Sequence, residues 1–289
     1  MRKFRADSIF QKQFDTAGQL DGVDPAMAKL ITQSGLGDGD VSDDKVSVSK
    51  ASFPASSLSP SQTTMVLEKA LGMAIGMLAS GKIGGDLGAL ISKDGHILDG
   101  HHRWAATIIA SGKKGHVGGY AAALPGSELL KVLNLVSKGS FGVRNGKPGK
   151  GSIAQFTPAN VRKLLETLLE KGVSGEYPLS PEKIKAILVK NFGSVEAGVQ
   201  EMSDNVKYMK KDVPSWAPDR AQMPVIEPEQ VPEAAALLSK GEVDWNFPYK
   251  QASRKLVASN RGPLIRLAKT LPGGSPEKRQ ILALLKSAG

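Results

Sequence analysis

The chain contains no cysteine, few aromatic residues and no long apolar run. Without cysteine it can form no disulfide, no thiolate metal site and no thiol nucleophile. Aromatic residues make up only 5% of the 289 residues, so any core must consist mainly of aliphatic and small side chains. The longest apolar stretch, around Met73 to Leu78, is much shorter than the roughly 20 residues that cross a bilayer. We therefore expect a soluble protein with no membrane partner.

The first residues, Met1 to Asp7, lack the apolar region of a secretory signal peptide. Together with the absence of cysteine, this favours a cytoplasmic protein, or a virion-associated protein if the chain is encoded by a phage.

Nearly all of the excess positive charge lies at the C-terminal end. The formal net charge is +10, yet nine Lys/Arg and one acidic residue fall from Lys250 onward, which leaves +2 for the rest. Such a tail favours DNA or another polyanion as partner, and a solvated pair of amphipathic helices with no partner is the alternative. The candidate nucleic-acid-binding residues are Arg254, Lys255, Arg261 and Arg266.

Composition and periodicity divide the chain into five parts. Residues 1–44 predict a flexible polar arm, and residues 45–138 alternate strand and helix patterns typical of a compact α/β unit. Residues 139–156 form a Gly/Lys-rich linker. A mostly helical region with a Pro-rich strap follows over 157–249, and a basic helical tail over 250–289.

Local signals place the elements of the α/β unit. Ser59 and Pro60 predict the N-cap and first residue of a helix that ends near Ser80. Asp94-Gly95 predicts a hairpin turn between two strands. After the second strand, Gly100 predicts a hinge, and a helix over residues 101–111 follows it.

The linker has a superficial likeness to a phosphate-binding P-loop. The spacing from Gly142 to Gly149 is too long, and Gly151 follows Lys150 where serine or threonine is needed. A basic loop that closes over a ligand or contacts phosphate remains as the alternative.

The segment Asp99-Gly100-His101-His102-Arg103 carries the strongest functional signal. Gly100 permits a sharp turn, and the helix after it directs its N–H groups and positive dipole end at that turn. His102 and Arg103 add hydrogen-bond donors for phosphate, and Asp99 can bind Mg²⁺ or act as a general base. Adjacent histidines at a helix start point in different directions, so no metal cage of protein ligands is expected. The alternative is that Asp99 only caps the helix and the histidines are surface polar groups.

In its strand–turn–helix context the pentapeptide resembles the ParB/sulfiredoxin superfamily. The resemblance covers about residues 45–138 and includes Ser57 to Gln62 and the stretch from Leu87 to Arg103. The free-serine kinases of that superfamily carry Asp-Gly-His-His-Arg, sulfiredoxin carries Gly-Cys-His-Arg, and ParB carries Gly-Glu-Arg-Arg. The resemblance implies an α/β (α+β) fold, a small mixed-sheet domain with a mostly α-helical C-terminal extension.

The resemblance also implies residue roles. His101 stands where sulfiredoxin has its cysteine, so reductase chemistry is excluded, and it replaces the ParB glutamate, so a CTP-driven clamp is not expected. The kinases of the superfamily have a second catalytic carboxylate near the N-terminal end of the domain. No motif locates it in this sequence, and Glu68 and Asp86 are the candidates. The predicted catalytic residues are Asp99 and His101. The predicted residues for the phosphates of ATP or ADP are Gly100, His102, Arg103 and Lys82.

These features predict nucleotide-dependent phosphoryl transfer or nucleotide hydrolysis with Mg²⁺. One alternative is a DNA-associated ParB-like protein, of a partition or nuclease-like kind, that uses its basic tail on phosphate. Another is a phage or virion accessory protein that keeps the fold without turnover. Arg220, in the Pro-rich segment, is a candidate lid or substrate-contacting residue, and a structural strap is the alternative reading of that segment.

Overall fold

The computed structural model describes residues 45–142, 149–173, 178–243, 261–274 and 276–287. Its sheet has five strands in the order β1-β5-β3-β4-β2. The strands are β1 (Val48–Pro54), β2 (Ser59–Pro60), β3 (Gly85–Ser92), β4 (His96–Asp99) and β5 (His116–Ala122). The helices among the described residues are α1 (Leu67–Ser80), α2 (His101–Ser111), α3 (Gly126–Gly139), α4 (Pro158–Lys171), α5 (Pro181–Phe192), α6 (Val195–Asn205), α7 (Val231–Lys240), α8 (Arg261–Thr270) and α9 (Pro276–Ser287).

The hairpin of β3 and β4 ends at the segment of interest. The strands are antiparallel, and the N–H of Gly95 donates to the carbonyl of Ser92 at 3.0 Å, so the predicted Asp94-Gly95 turn is confirmed. On the other side of β4, β2 runs parallel to it, with Ser59 opposite His96 and Pro60 opposite Ile97. The carboxyl ends of β2 and β4 therefore lie at the same edge of the sheet.

The helix predicted from Ser59-Pro60 begins later than expected, and that part of the prediction is wrong. Ser59 and Pro60 form β2, because the N–H of Ser59 donates to the carbonyl of Gly95. The backbone then crosses residues 61–66 without regular structure, and α1 starts at Leu67. Pro60 has no N–H to lose, so it serves an edge strand as well as a helix start.

The helices after the linker share one core with the sheet. Residues from α1 and α2, such as Ile75 and Trp104, are buried in the same cluster as Val161, Ile184 and Met202 of α4, α5 and α6. The indole N–H of Trp104 donates to the carbonyl of Ala55 at 2.7 Å, so the largest buried side chain leaves no polar atom unpaired. The sequence pattern separates residues 45–138 from 157–249, and the core cluster described here includes side chains between residues 55 and 117 and between 153 and 209.

By backbone proximity the described residues divide into two compact units. One has those within 49–121 and 149–220, and the other has 45–48, 122–142 and those described from 221 onward. In the second unit the amide of Asn134 on α3 donates to the carbonyl of Gln222 at 3.3 Å, and the N–H of Val46 donates to the carbonyl of Leu238 at 3.1 Å. The mixed sheet and its helices make this an α/β protein, as the sequence predicts.

No helix in the described part of the chain combines the length and the apolar character that crossing a membrane requires.

Candidate functional site

Gly100 joins β4 to α2 in a left-handed conformation, with φ of 96° and ψ of 15°. Only glycine adopts this region readily. A Cβ added there would lie 3.4 Å from Nη2 and 3.5 Å from Nε of Arg103, so a larger residue would also press on the guanidinium. Glycine at this position therefore allows both the turn and the placement of Arg103 behind it.

Asp99 and Arg103 form an ion pair across the turn. Nη2 of Arg103 donates to Oδ2 of Asp99 at 2.7 Å, with side chains 23% and 29% exposed. The backbone N–H of Gly100 also favours the charged form of Asp99 and so lowers its pKa. Nε of Arg103 is buried and has no hydrogen-bond partner among the described residues. Nη2 is thus engaged with the carboxylate, and the buried Nε next to it remains a donor without an acceptor among the described residues.

His101 is almost completely buried, with 4% of its surface exposed. Its Nε2 accepts the backbone N–H of Ser61 at 3.2 Å, while the Ser61 hydroxyl donates to the carbonyl of Ile97 at 2.5 Å. Because Nε2 accepts a hydrogen bond, the neutral ring carries its proton on Nδ1. His101 thus anchors the end of β2, and its burial leaves little access for a substrate.

His102 makes the same kind of contact at the next position. Its Nε2 accepts the backbone N–H of Val66, the residue before α1, at 3.1 Å. The ring is half-buried, and in this tautomer its remaining donor is the Nδ1–H. The two histidines therefore hold both ends of the loop over residues 61–66 against the first turn of α2.

Burial decides the charge of both rings. It lowers the pKa of His101 from 6.5 to about 3, with smaller contributions from His102 and Arg220. Burial, together with the positive charges of Lys69, Arg220 and Arg103, lowers the pKa of His102 to about 4. Both rings are neutral at pH 7, so they supply no charge to a phosphate.

Burial has the opposite effect on the carboxyl group. It raises the pKa of Asp99 above 3.8, although the cations Arg103 and Arg220 partly offset the rise. A carboxylate with a raised pKa is a stronger base, which suits proton abstraction from a hydroxyl or a water.

The starts of α1 and α2 meet at this site, and neither has a side-chain cap. The N-cap residues are Val66 and Gly100, and no side chain accepts from the first-turn N–H groups. By contrast, α4, α5 and α6 of the same compact unit are capped by the side chains of Thr157, Ser180 and Ser194. Two positive helix ends without side-chain caps therefore lie side by side.

Arg220 and residues 149–151 lie beside these helix starts. Arg220 exerts a positive field on Asp99 and on both histidines, and it forms no ion pair within 4 Å in the described part of the chain. A Cβ added at Gly149 would lie 2.5 Å from Cγ2 of Thr64 and 3.3 Å from Cγ of Arg220. Arg220 therefore lies near the turn, and its role as a lid or substrate-contacting residue stays a prediction.

The structure does not bring Lys82 to the turn. Lys82 is exposed and follows the C-terminal end of α1, whereas the N-terminal end of α1 contacts His102. A helix of 14 residues is about 21 Å long, so the two ends are well separated. The adjacent Gly84 packs on Thr107 and the carbonyl of His116 instead.

The two candidate carboxylates lie apart from each other. Glu68 is exposed in the first turn of α1, near the site. Asp86 is the second residue of β3, and its carboxylate pairs with Nζ of Lys50 at 2.6 Å. Of the tail residues, Arg261 and Arg266 are exposed on α8, whereas Arg254 and Lys255 lie outside the described residues.

Sequence reasoning missed the partners that organise the site. The partners of the two histidines are backbone N–H groups of Ser61 and Val66, which no residue type identifies in a sequence. The sequence therefore could not predict that both histidines are neutral. Lys69 gave no signal either, because a lysine on a helix is common. The glycines that flank Lys150 were a usable signal, since two glycines around one charged residue permit close backbone contact.

No three His, Asp or Glu side chains in the described segments lie close enough together to hold a metal ion. Comparisons with family models, with curated proteins and with solved structures found no match to the chain.

The buried histidines predict a loss of stability in acid. Their folded-state pKa values lie below the unfolded value of 6.5, at about 3 and about 4, so only the unfolded chain binds these protons at intermediate pH. The stabilisation is complete above pH 6.5 and is lost as the pH falls toward 4 and then 3. Each histidine should add about 1.4 kcal/mol per pH unit to the slope of the unfolding free energy.

Urea unfolding between pH 7 and 5 measures this slope. The variant His101→Gln should reduce it by about one proton near pH 5. An unchanged slope in His101→Gln would contradict the assignment of a neutral buried ring.

Proposed function

We propose that the chain is a nucleotide-binding protein that carries out ATP- or ADP-dependent phosphoryl transfer or hydrolysis at the turn from Asp99 to Arg103. The observation that carries the proposal is the meeting of two uncapped helix N-termini beside Arg103 and Arg220. Orphan N–H groups and positive helix ends favour phosphate oxygens, and guanidinium groups bind them through charge-assisted hydrogen bonds.

The residues divide the work as follows. Arg103 offers its buried Nε to a phosphate oxygen while Nη2 stays on Asp99, and Arg220 neutralises further charge from the other side. The neutral His102 donates through Nδ1, and His101 positions the loop over residues 61–66. Mg²⁺ usually enters such sites with the phosphates and keeps several waters, so phosphate oxygens would hold it while Asp99 stays available as the base.

The chemical step needs one base. Asp99 accepts the proton of the attacking hydroxyl or water as its oxygen bonds to the terminal phosphorus. The bond from that phosphorus to the bridging oxygen breaks, and the shortened nucleotide leaves with the bond electrons. Asp99 then releases the proton to solvent. Positioning and charge neutralisation supply most of the rate in phosphoryl transfer, so one weakly basic carboxylate is sufficient.

Calorimetric titration of the full chain with ATP and Mg²⁺ tests the binding. Arg103→Ala should weaken affinity at least about tenfold, because a charged hydrogen bond contributes roughly 1.5–3 kcal/mol. Arg162→Ala, an arginine on α4 of the same compact unit, is the matched control and should bind as the wild type does. If wild type and Arg103→Ala bind equally, or neither binds, the proposal fails.

Asp99→Asn separates binding from chemistry. The amide keeps the size of the side chain and removes the base, so turnover to ADP should fall about 10²–10⁴-fold. Affinity for ATP should be equal or tighter, because Arg103 is no longer neutralised by a carboxylate. Measurement of kcat and Kd on one preparation decides the matter, and an unchanged kcat would remove Asp99 from the catalytic role.

A second candidate function, association with DNA or another polyanion, has one supporting observation. Helices α8 and α9 pack as a pair through Leu264, Ala268, Ile281 and Leu285, which leaves Arg266 and Lys269 exposed. An exposed basic helix face attracts phosphates without regard to sequence.

Salt dependence of duplex DNA binding tests this candidate. If Arg266 and Lys269 each contact one phosphate, changing both to alanine should reduce the slope of log K against log salt by about 1.8. Lys163→Ala with Lys190→Ala removes two exposed lysines elsewhere and should leave the slope unaltered. An equal slope in both double variants would exclude this face as the DNA contact.

A further inference from the structure

The segment Gly149-Lys150-Gly151 lies against the residues that lead into α1. The N–H of Ile153 donates to the carbonyl of Thr63 at 2.8 Å, which anchors the segment to the loop over residues 61–66. The hydroxyl of Ser152 accepts the N–H of Ala154 at 3.2 Å and so begins a short 3-10 turn directly afterwards. The backbone of Lys150 is therefore held next to the start of α1.

Two glycines make this approach possible. Gly151 has a φ of 104°, and a Cβ there would lie 2.5 Å from the carbonyl oxygen of Met65 and 3.3 Å from Cα of Val66. A Cβ on Gly149 would meet Thr64 at 2.5 Å. A side chain at either position would push the segment away from α1, so the glycines fix where Lys150 stands.

Lys150 extends the positive charge of the site toward solvent. Its side chain is exposed, and it forms no ion pair in the part of the chain that the structure describes. Between it and the turn lie Arg220, which packs on Gly149, and the start of α1 with Lys69. The cations thus run from Arg103 at the Gly100 turn to Lys150 at the rim.

We infer that Lys150 is a phosphate-binding residue that makes this site select nucleoside di- and triphosphates over monophosphates. The inference rests on the proposed function, because it assigns a ligand class to the same site. One phosphoryl group held at the Gly100 turn would contact Arg103 and the N-terminal end of α2. A second and a third group would extend along the start of α1, where the flexible stem of Lys150 reaches them as a mobile point charge.

The charge balance supports a ligand with several phosphoryl groups. Arg103, Arg220, Lys69 and Lys150 supply four positive charges, against three carboxylates: Asp99 in the turn, Glu68 on the exposed side of α1, and Asp219 next to Arg220 in the chain. A monophosphate would leave the outer cations without a counter-charge, whereas a polyphosphate would meet cations along its length.

Calorimetric titration of the full chain with AMP, ADP and ATP tests the inference. Lys150→Ala should weaken binding of ADP and ATP at least about tenfold and leave AMP within about twofold of wild type. Lys150→Arg should restore most of the affinity, because the charge is retained. Gly151→Ala should give the same selective loss with the lysine intact, since the new Cβ displaces the segment. Lys190→Ala, an exposed lysine on α5, is the control.

The outcomes separate the two proposals. If wild type binds a nucleotide and Arg103→Ala loses it, but Lys150→Ala does not alter ADP or ATP binding, the inference alone is overturned. An equal loss for AMP and ATP in Lys150→Ala also overturns it, because the residue would then not select for phosphate number. If the wild type binds none of the three nucleotides, the proposed function fails and the inference fails with it. Should Gly151→Ala not fold, the two variants of the exposed Lys150 still decide.

Discussion

Two hydrogen bonds from backbone N–H groups to histidine rings organise this site. Ser61 donates to His101 and Val66 donates to His102, at 3.2 and 3.1 Å, so consecutive residues on α2 hold both ends of one loop. That loop ends at the first residue of α1, and its position brings the start of α1 to the start of α2. An acceptor nitrogen cannot carry a proton, so the same bonds require both rings to be neutral. Positive charge at the turn must then come from arginine, lysine and the helix ends.

Two helices of the compact unit that carries the turn, α1 and α2, begin without a side-chain cap. A side-chain cap contributes about 1 kcal/mol to a helix, and α4, α5 and α6 each have one. At α1 and α2 the N-cap residues are a valine and a glycine, which provide no acceptor. In the other compact unit, α3 and α7 also begin without a side-chain cap. The contrast therefore holds only among the helices of the unit that carries the turn.

The sequence predicted those elements that local chemistry controls. Asp94-Gly95 determines a hairpin and Gly100 permits the turn into α2, so β3, β4 and α2 were placed within a few residues. The start of α1 was misplaced because Ser59-Pro60 suits a helix N-terminus and an edge strand equally, and only the long-range pairing with β4 decides between them. Lys82 was assigned to the site for its charge, but the length of α1 separates it from the turn. The neutral histidines could not be foreseen, since their partners are backbone amides 36 to 40 residues away.

The Asp99–Arg103 pair need not break for the site to bind phosphate. Nε and Nη2 share one edge of the guanidinium, and here Nη2 is on the carboxylate while the buried Nε beside it has no partner among the described residues. A buried donor without an acceptor is costly, so an oxygen that arrives there removes a penalty as well as forming a bond. Asp99 meanwhile keeps Arg103 in one orientation, and its own raised pKa keeps it basic. In the proposed reaction the carboxylate would therefore orient the cation through Oδ2 and accept the proton on its other oxygen.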